Sequence, residues 1–161
     1  QSATIFLNTT TTFSSLNGNQ WYPISPDTKT ATGGTWADGG LTSFFQLYST
    51  NKGLTYTGPN AICRISYYIN ASQSDDRTVW STMAIGSATP PAPTEVCNGV
   101  PQSIRMSIYR SYSAVASSLA SAWCQQLNTN DNLVMYLGVG SLNSQPTLPS
   151  GSITVSLIRY V

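Results

Sequence analysis

The residues that could do acid–base chemistry are few and badly placed. The sequence of 161 residues has no histidine and six Asp or Glu. Asp75 and Asp76 are adjacent and would point apart on a strand, and Glu95 lies among prolines. A glycosidase needs two carboxyl groups ~5–10 Å apart in one cleft, and a His-dependent triad needs a histidine. We therefore predict that the protein is not an enzyme and has no cofactor.

The same carboxylates are poor metal ligands. Calcium takes six to eight oxygen ligands, which is more than the sequence offers around Asp75 and Asp76. Asp75, Asp76 and Asp131 lie in polar turn-like segments, where an Asp side chain commonly bonds the backbone two or three residues on. We expect them to cap turns, and we expect no metal site.

Aromatic residues in glycine-rich loops are the stronger signal for binding. Trp36 lies in the segment GGTWADGG, where its ring either fills the edge of the core or presents a flat apolar face to a ligand. Glycan recognition pairs such faces with neutral hydroxyl and amide groups and a carboxylate. Thr35, Asp38 and Asn51 could supply these groups around Trp36, as a hypothesis.

Five tyrosines complete the set of candidate contact residues. Tyr109 and Tyr112, on or just beyond the polar face of a predicted strand, form a second candidate ligand patch. Tyr68, Tyr136 and Tyr160 alternate with core residues. Aromatic residues are enriched at subunit interfaces, so these three are predicted to pack against neighbouring subunits, although an ordinary sheet surface explains them equally well.

The three cysteines, Cys63, Cys97 and Cys124, are widely spaced and form no Cys-x-x-Cys motif. This pattern excludes zinc-finger and thioredoxin-type sites. Free cysteine is among the most buried residue types, so we predict buried free thiols. One disulfide plus one free thiol is the alternative.

The bulk composition excludes several classes of partner. Charged residues are 8% of the chain and the net charge is +1, whereas Ser and Thr number 43. A nucleic-acid binder needs clustered Lys and Arg, and no apolar run approaches the ~18–20 residues of a membrane span. A surface with little net charge tends to associate. We therefore predict no nucleic-acid or membrane partner, and self-association.

Candidate residues must be positioned by strands, because apolar residues alternate with polar ones throughout the chain. Strong alternation and β-branched content predict half-buried strands. The predicted strands are 61–70, 78–85, 103–110, 133–139 and 152–161, with weaker candidates at 3–7 and 43–48. Turn signals such as Asn17-Gly18, Asp38-Gly39-Gly40 and Ser150-Gly151 separate them. The pattern is typical of an all-β sandwich or barrel.

Three segments are harder to assign. In Ser113 to Leu127 the residues Val115, Leu119, Trp123 and Leu127 recur every four positions, as in a helix, while small residues alternate, as in a strand. A pair of strands and a helix both stay open as alternatives. The stretches 23–42 and 86–101 are rich in Gly or Pro and are predicted to be long surface loops that carry function.

The C-terminal quarter carries a resemblance to a known family. A polar turn with Asp131 leads into LVMYLGV, a loop follows, and Ser150-Gly151 then begins a last strand. Upstream, Thr57-Gly58-Pro59 precedes the aromatic-rich strand AICRISYYIN. Over residues 54–161 this order resembles C1q/TNF-like jelly-roll heads. Ser150 departs from the pattern, since members often carry an aromatic residue there.

The resemblance implies an all-β antiparallel sandwich, a jelly roll of eight or ten strands that forms a homotrimer. Residues 1–161 would form a single head domain, and a start at Gln1 rather than Met leads us to expect a piece of a longer chain. Virion spike and fibre heads use this architecture. We predict a virion-surface domain that attaches to a host-cell receptor, with a glycan as the candidate ligand. The alternatives are a structural trimerisation domain of a collagen-like cell-surface protein, and a lectin module.

Overall fold

A computed structural model of the chain describes residues 1–18, 20–28, 30–49, 52–72, 77–87, 106–110, 117–140 and 145–161. These residues form antiparallel strands and no helix, and consequently no helix among them could span a membrane. The strands are β1 (Ser2–Leu7), β2 (Thr11–Phe13), β3 (Gln20–Pro23), β4 (Thr30–Thr32), β5 (Trp36–Leu41), β6 (Phe45–Tyr48), β7 (Gly53–Tyr56), β8 (Ala61–Ser72), β9 (Arg77–Gly86), β10 (Met106–Arg110), β11 (Ser117–Leu127), β12 (Asn132–Val139) and β13 (Thr147–Tyr160).

Two sheets pack face to face. The first sheet has the order β11-β8-β13-β1-β5, with β2 pairing to β13 and to β4. The second sheet has the order β10-β9-β12-β7-β6, with β3 pairing to β12. Neighbours far apart in sequence, such as β1 and β13, lie side by side, as they do in a jelly roll. The predicted all-β antiparallel sandwich is confirmed.

The core lies between the inner faces of the two sheets. In β8 the burial alternates as far as Ala71, with Cys63, Ile65, Tyr67 and Ile69 inside. Leu133, Met135, Leu137 and Val139 of β12 meet them from the second sheet. The Tyr67 hydroxyl bonds the Ser81 hydroxyl at 3.1 Å inside this core, so the one polar atom of that ring is satisfied. The sequence alternation therefore predicted the inner faces correctly.

The described part of the ambiguous segment is one continuous strand and not a pair of strands. β11 (Ser117–Leu127) pairs with β8 along its whole length, so the helix alternative is wrong. A spacing of four places residues on one face of a strand as well as of a helix, and Leu119 and Leu127 are both buried on the inner side. Residues 113–116 lie outside the described residues.

Two turn predictions are wrong. Ser150-Gly151 lies inside β13, which already begins at Thr147, and the pairing with β8 is irregular between Thr147 and Ser150. Asp38-Gly39-Gly40 lies inside β5, with an irregularity in its pairing to β1. In both cases a small residue marks a bulge within a strand, which composition does not distinguish from a turn.

The predicted loop over residues 23–42 is also corrected. It contains β4 (Thr30–Thr32) and β5 (Trp36–Leu41), and β5 forms an edge of the first sheet. Of the second predicted loop, only residues 86–87 are described.

Candidate functional site

Trp36 is in the core. Its side chain is 0% exposed, and the indole Nε1–H donates a hydrogen bond of 2.9 Å to the backbone carbonyl of Ile24. A ring enclosed in this way cannot present a face to a ligand. The ligand-contact alternative for Trp36 is therefore corrected, and the buried alternative is right.

The residues grouped with Trp36 do not form a site around it. Asp38 is exposed, and its Oδ1 accepts a 2.7 Å hydrogen bond from the backbone N–H of Gly40. Thr35 is half-buried, and its carbonyl accepts from the N–H of Asn8. Asn51 lies outside the described residues.

Of the second candidate ligand patch, Tyr109 lies in β10 opposite Thr78, and Tyr112 lies outside the described residues.

The three predicted interface tyrosines lie on three different surfaces. Tyr68 is 38% exposed on the outer face of β8. Tyr160 is 53% exposed, pairs with the inward-facing Ala61, and packs edge-on against Phe44 with 6.4 Å between ring centroids. Tyr136, in the second sheet, is only 5% exposed. Its ring is covered by its own chain, so the predicted interface role of Tyr136 is corrected.

The outer face of the first sheet is a broad surface with little charge. We define it as the outward-facing residues of β1, β8, β11 and β13, which are mostly small or hydroxylated. They are Thr4, Phe6, Ile62, Arg64, Ser66, Tyr68, Asn70, Ser118, Ala120, Ala122, Cys124, Gln126, Ser152, Thr154, Ser156 and Arg159. Phe6 and Tyr68 expose large rings on it, whereas the two arginines are its charged members.

Side-chain hydrogen bonds tie this face together across strands. Thr4 and Thr154 join their hydroxyls at 3.2 Å between β1 and β13. The amide of Asn70 donates to Ser150 Oγ at 2.7 Å and accepts from Ser118 Oγ at 2.6 Å. Polar groups that already bond within the chain can be covered by another surface at low desolvation cost.

A cavity of about 250 Å³ opens on the outer face of the second sheet. Its walls come from β3 and the turn after it, from the end of β6, from Lys52, and from β12. Val134 and Tyr136 of β12 lie beneath it in a second apolar cluster with Trp21 and Ala84. Tyr48 packs against that cluster and also lines the cavity.

The rim of the cavity is fixed by polar contacts. Thr28 Oγ1 donates to the Pro23 carbonyl at 2.6 Å and lies 3.3 Å from Ser25 Oγ, which holds the turn after β3 in place. Asp27 at the tip of this turn pairs with the ammonium group of Lys52 across the rim. Burial, and then the neighbouring Tyr48, raise the pKa of Tyr136, so its hydroxyl stays protonated to a higher pH than that of an ordinary tyrosine.

No protein-family model matches this sequence, and no curated protein matches it either. Solved structures are similar to it in fold. The chain is 14% identical to the Eiger TNF from S. frugiperda, with 95% of this chain and 94% of that chain covered and a TM-score of 0.57. It is 12% identical to the globular domain of zebrafish complement 1qA protein, with 99% and 98% covered and a TM-score of 0.54.

Murine APRIL at pH 5.0 is 10% identical, with 98% of this chain and 100% of that chain covered and a TM-score of 0.54. The fold is a TNF/C1q-like jelly roll. The resemblance predicted from residues 54–161 is thus confirmed as a likeness of fold, and it extends over nearly the whole chain.

Sequence reasoning missed the cavity of this jelly roll. Asp27 and Lys52 gave no local signal, because they lie 25 positions apart and meet only when β3 and β7 pair with successive parts of β12. The sequence pattern correctly placed Tyr136 facing away from the core between the sheets, but it predicted a subunit contact, whereas Tyr136 lines the cavity. Within the described residues no group of three or more His, Cys, Asp or Glu could hold a metal ion.

Proposed function

We propose that this jelly roll is the head of a homotrimeric virion-surface protein that attaches the particle to a host-cell receptor. The observation that carries the proposal is the outer face of the first sheet. It presents two large exposed rings, Phe6 and Tyr68, among small side chains, with charge confined to Arg64 and Arg159. Depletion of charge and enrichment of aromatics are typical of the centre of subunit interfaces.

Self-association also follows from the low charge of the whole chain. With a net charge of +1 and 8% charged residues, an uncovered monomer would have little electrostatic protection against nonspecific association. A specific trimer hides this face and leaves the second sheet and the loops accessible. This arrangement suits a protein that forms subunit contacts through one face and binds a receptor through its other surfaces.

Attachment by such a head would depend on valency. Three copies in one trimer turn the second and third binding events into intramolecular ones, and avidity can exceed single-site affinity by about 10²–10⁴-fold. A shallow, weak site on each subunit is then sufficient. The abundance of Ser, Thr, Asn and Gln over charged residues supports a particle surface that responds little to pH or salt.

Binding is proposed rather than catalysis because the described carboxylates are separated and engaged. Asp27 pairs with Lys52, Asp38 bonds the N–H of Gly40, and Asp131 accepts from the N–H of Asn128 at 2.7 Å. Asp131 thus caps its turn as predicted. None of the three faces a second carboxyl group across the cavity, as acid–base hydrolysis of a glycoside requires.

The test is to measure cell binding by the purified, fluorescently labelled domain over a panel of cultured cells, with analytical ultracentrifugation of the same sample. We expect a species about three times the 17.3 kDa subunit mass that binds a subset of the cells saturably. Unlabelled domain should compete for these sites, and heat-unfolded domain should not. A folded trimer that binds no cell would contradict the attachment role and leave a purely structural trimerisation module.

A further inference from the structure

The cavity on the second sheet has the size and lining of a site for one small ring. Its volume of about 250 Å³ lies just below the ~300–1,000 Å³ of pockets for drug-sized ligands. Val134 and Tyr136 form an apolar base, and Tyr48 adds a second aromatic surface. Hydroxyl groups come from Ser25, Ser49 and Thr28.

The charges that line the cavity limit which ligands it can bind. Asp27 and Lys52 are the charged groups among its lining residues, and they neutralise each other as an ion pair. A phosphate or other anion is disfavoured because the one cation, Lys52, is already paired with a carboxylate. An organic cation is disfavoured because the one carboxylate, Asp27, is already paired with Lys52. A purely apolar ligand would cover the ion pair and the hydroxyl groups without making a hydrogen bond to any of them, and would displace the water that bonds them. A neutral ligand with one apolar face and a hydroxylated edge satisfies all of these groups.

A pyranose ring has this character. Its C–H face can lie on the ring of Tyr48 while its hydroxyls exchange hydrogen bonds with Asp27, Lys52 and the neighbouring hydroxyl side chains. Carboxylate acceptors make stronger hydrogen bonds than neutral ones, and Asp27 has two oxygens for vicinal hydroxyls. The rim is also preorganised, because the Thr28 hydroxyl and the ion pair fix the turn before any ligand arrives, which lowers the entropy cost of binding.

We propose that the cavity lined by Tyr48, Tyr136, Asp27 and Lys52 is a binding site for one neutral pyranose unit of a saccharide. The inference rests on the proposed attachment function in that it identifies the receptor determinant as a neutral glycan. It locates the site on the outer face of the second sheet, and not on the outer face of the first sheet.

The test is saturation-transfer-difference NMR on the purified domain with methyl β-galactopyranoside, methyl α-mannopyranoside and methyl N-acetyl-β-glucosaminide. Sodium N-acetylneuraminate serves as the charged comparison. Two variants change the cavity, Tyr48→Ala and Asp27→Asn, and Asp38→Asn is the matched control because it alters an exposed carboxylate elsewhere. Thermal melting of each variant shows that it is folded.

We expect at least one neutral glycoside to bind. Asp27→Asn should weaken binding about tenfold or more, as the loss of a charged hydrogen bond predicts, and Tyr48→Ala should weaken it because the aromatic surface under the sugar is lost. Asp38→Asn should bind like the parent. Binding that survives both cavity variants, binding lost in Asp38→Asn alone, or binding of N-acetylneuraminate alone would overturn the proposal.

The two tests distinguish failure of the proposed saccharide site from failure of the proposed attachment function. Saturable cell binding with no glycoside bound would overturn the saccharide site and leave attachment standing. Glycoside binding that depends on Tyr48, in a domain that binds no cell, would support the site and overturn the attachment role.

Discussion

The Trp36 side chain stabilises the fold through the hydrogen bond of its indole N–H as well as through the packing of its ring. Trp36→Phe should keep most of the packing but leave the buried Ile24 carbonyl without its donor, which costs about 1–3 kcal/mol. Trp123→Phe is the matched control, because the half-buried Trp123 donates to the side chain of Gln125, which can turn to water. Urea denaturation should show the larger loss for Trp36→Phe. Equal losses would contradict the importance of this hydrogen bond.

Cys63 is predicted to make the protein sensitive to alkali. Burial raises the pKa of its thiol from 9.0 to about 11. Between pH 9 and 11 the thiol therefore stays protonated in the folded chain and ionises in the unfolded chain, so the free energy of unfolding falls as pH rises through this window. In Cys63→Ala this fall should be shallower, as measured by urea midpoints under reducing conditions from pH 7 to 11.

The exposed Cys124 provides the control for that experiment. Cys124→Ala should keep the pH slope of the parent, because the pKa of the buried thiol is unchanged. Burial also raises the pKa of Tyr56, Tyr67 and Tyr136, so a decline above pH 10 should persist in both variants. If the free energy of unfolding fell equally steeply with pH in Cys63→Ala and in the parent, the loss of stability could not be due to the Cys63 thiol. The prediction that the cysteines are buried holds for Cys63 and is wrong for Cys124, and Cys97 lies outside the described residues.

At the scale of elements, the close approach of β7 to β12 depends on a glycine. A Cβ added to Gly53 would collide with the carbonyl oxygen of Leu133 in β12, so Gly53→Ala must push the two strands apart. Overpacking of this kind typically costs about 1–3 kcal/mol. Gly86→Ala, at the end of β9 opposite Asn132, meets nothing within 4 Å and should change stability by less than about 0.5 kcal/mol. Thermal or urea unfolding of both variants tests the contrast.

The elements also show what a sequence can and cannot predict. The alternation in β8 predicted which of its side chains face inward, because the two-residue period belongs to the strand itself. In β12 the two-residue spacing of Leu133, Met135, Leu137 and Val139 did the same, although its outer face is buried as well. The spacing of four in β11 could not decide between helix and strand, since both place those residues on one face. Small residues at 38–40 and 150–151 predicted turns, whereas pairing with β1 and β8 carries these segments through as bulged strands. The cavity depends on strand order, which local pattern does not encode.

At the scale of the whole molecule, the proposed trimer can be broken by one charge. Ala120 is exposed on the outer face of the first sheet, opposite Tyr68. In Ala120→Lys a trimer would bury an ammonium group without a partner, which is strongly unfavourable, so sedimentation velocity at micromolar concentration should show the 17.3 kDa subunit. Gln46→Lys, on the exposed side of β6, should remain trimeric. A parent chain that sediments as a monomer would contradict the proposal.

The place of β13 at the centre of the first sheet has a consequence for biosynthesis. β1 starts at Ser2, yet its neighbour is the strand that ends at Tyr160, and Ser2 pairs with Ser156. Contacts between residues so distant in sequence form slowly, and until β13 leaves the ribosome the edges of β1 and β8 lack the strand that joins them. Such unpaired edges attract other chains. The domain is therefore expected to fold only once β13 has been synthesised, and to need protection from aggregation until then.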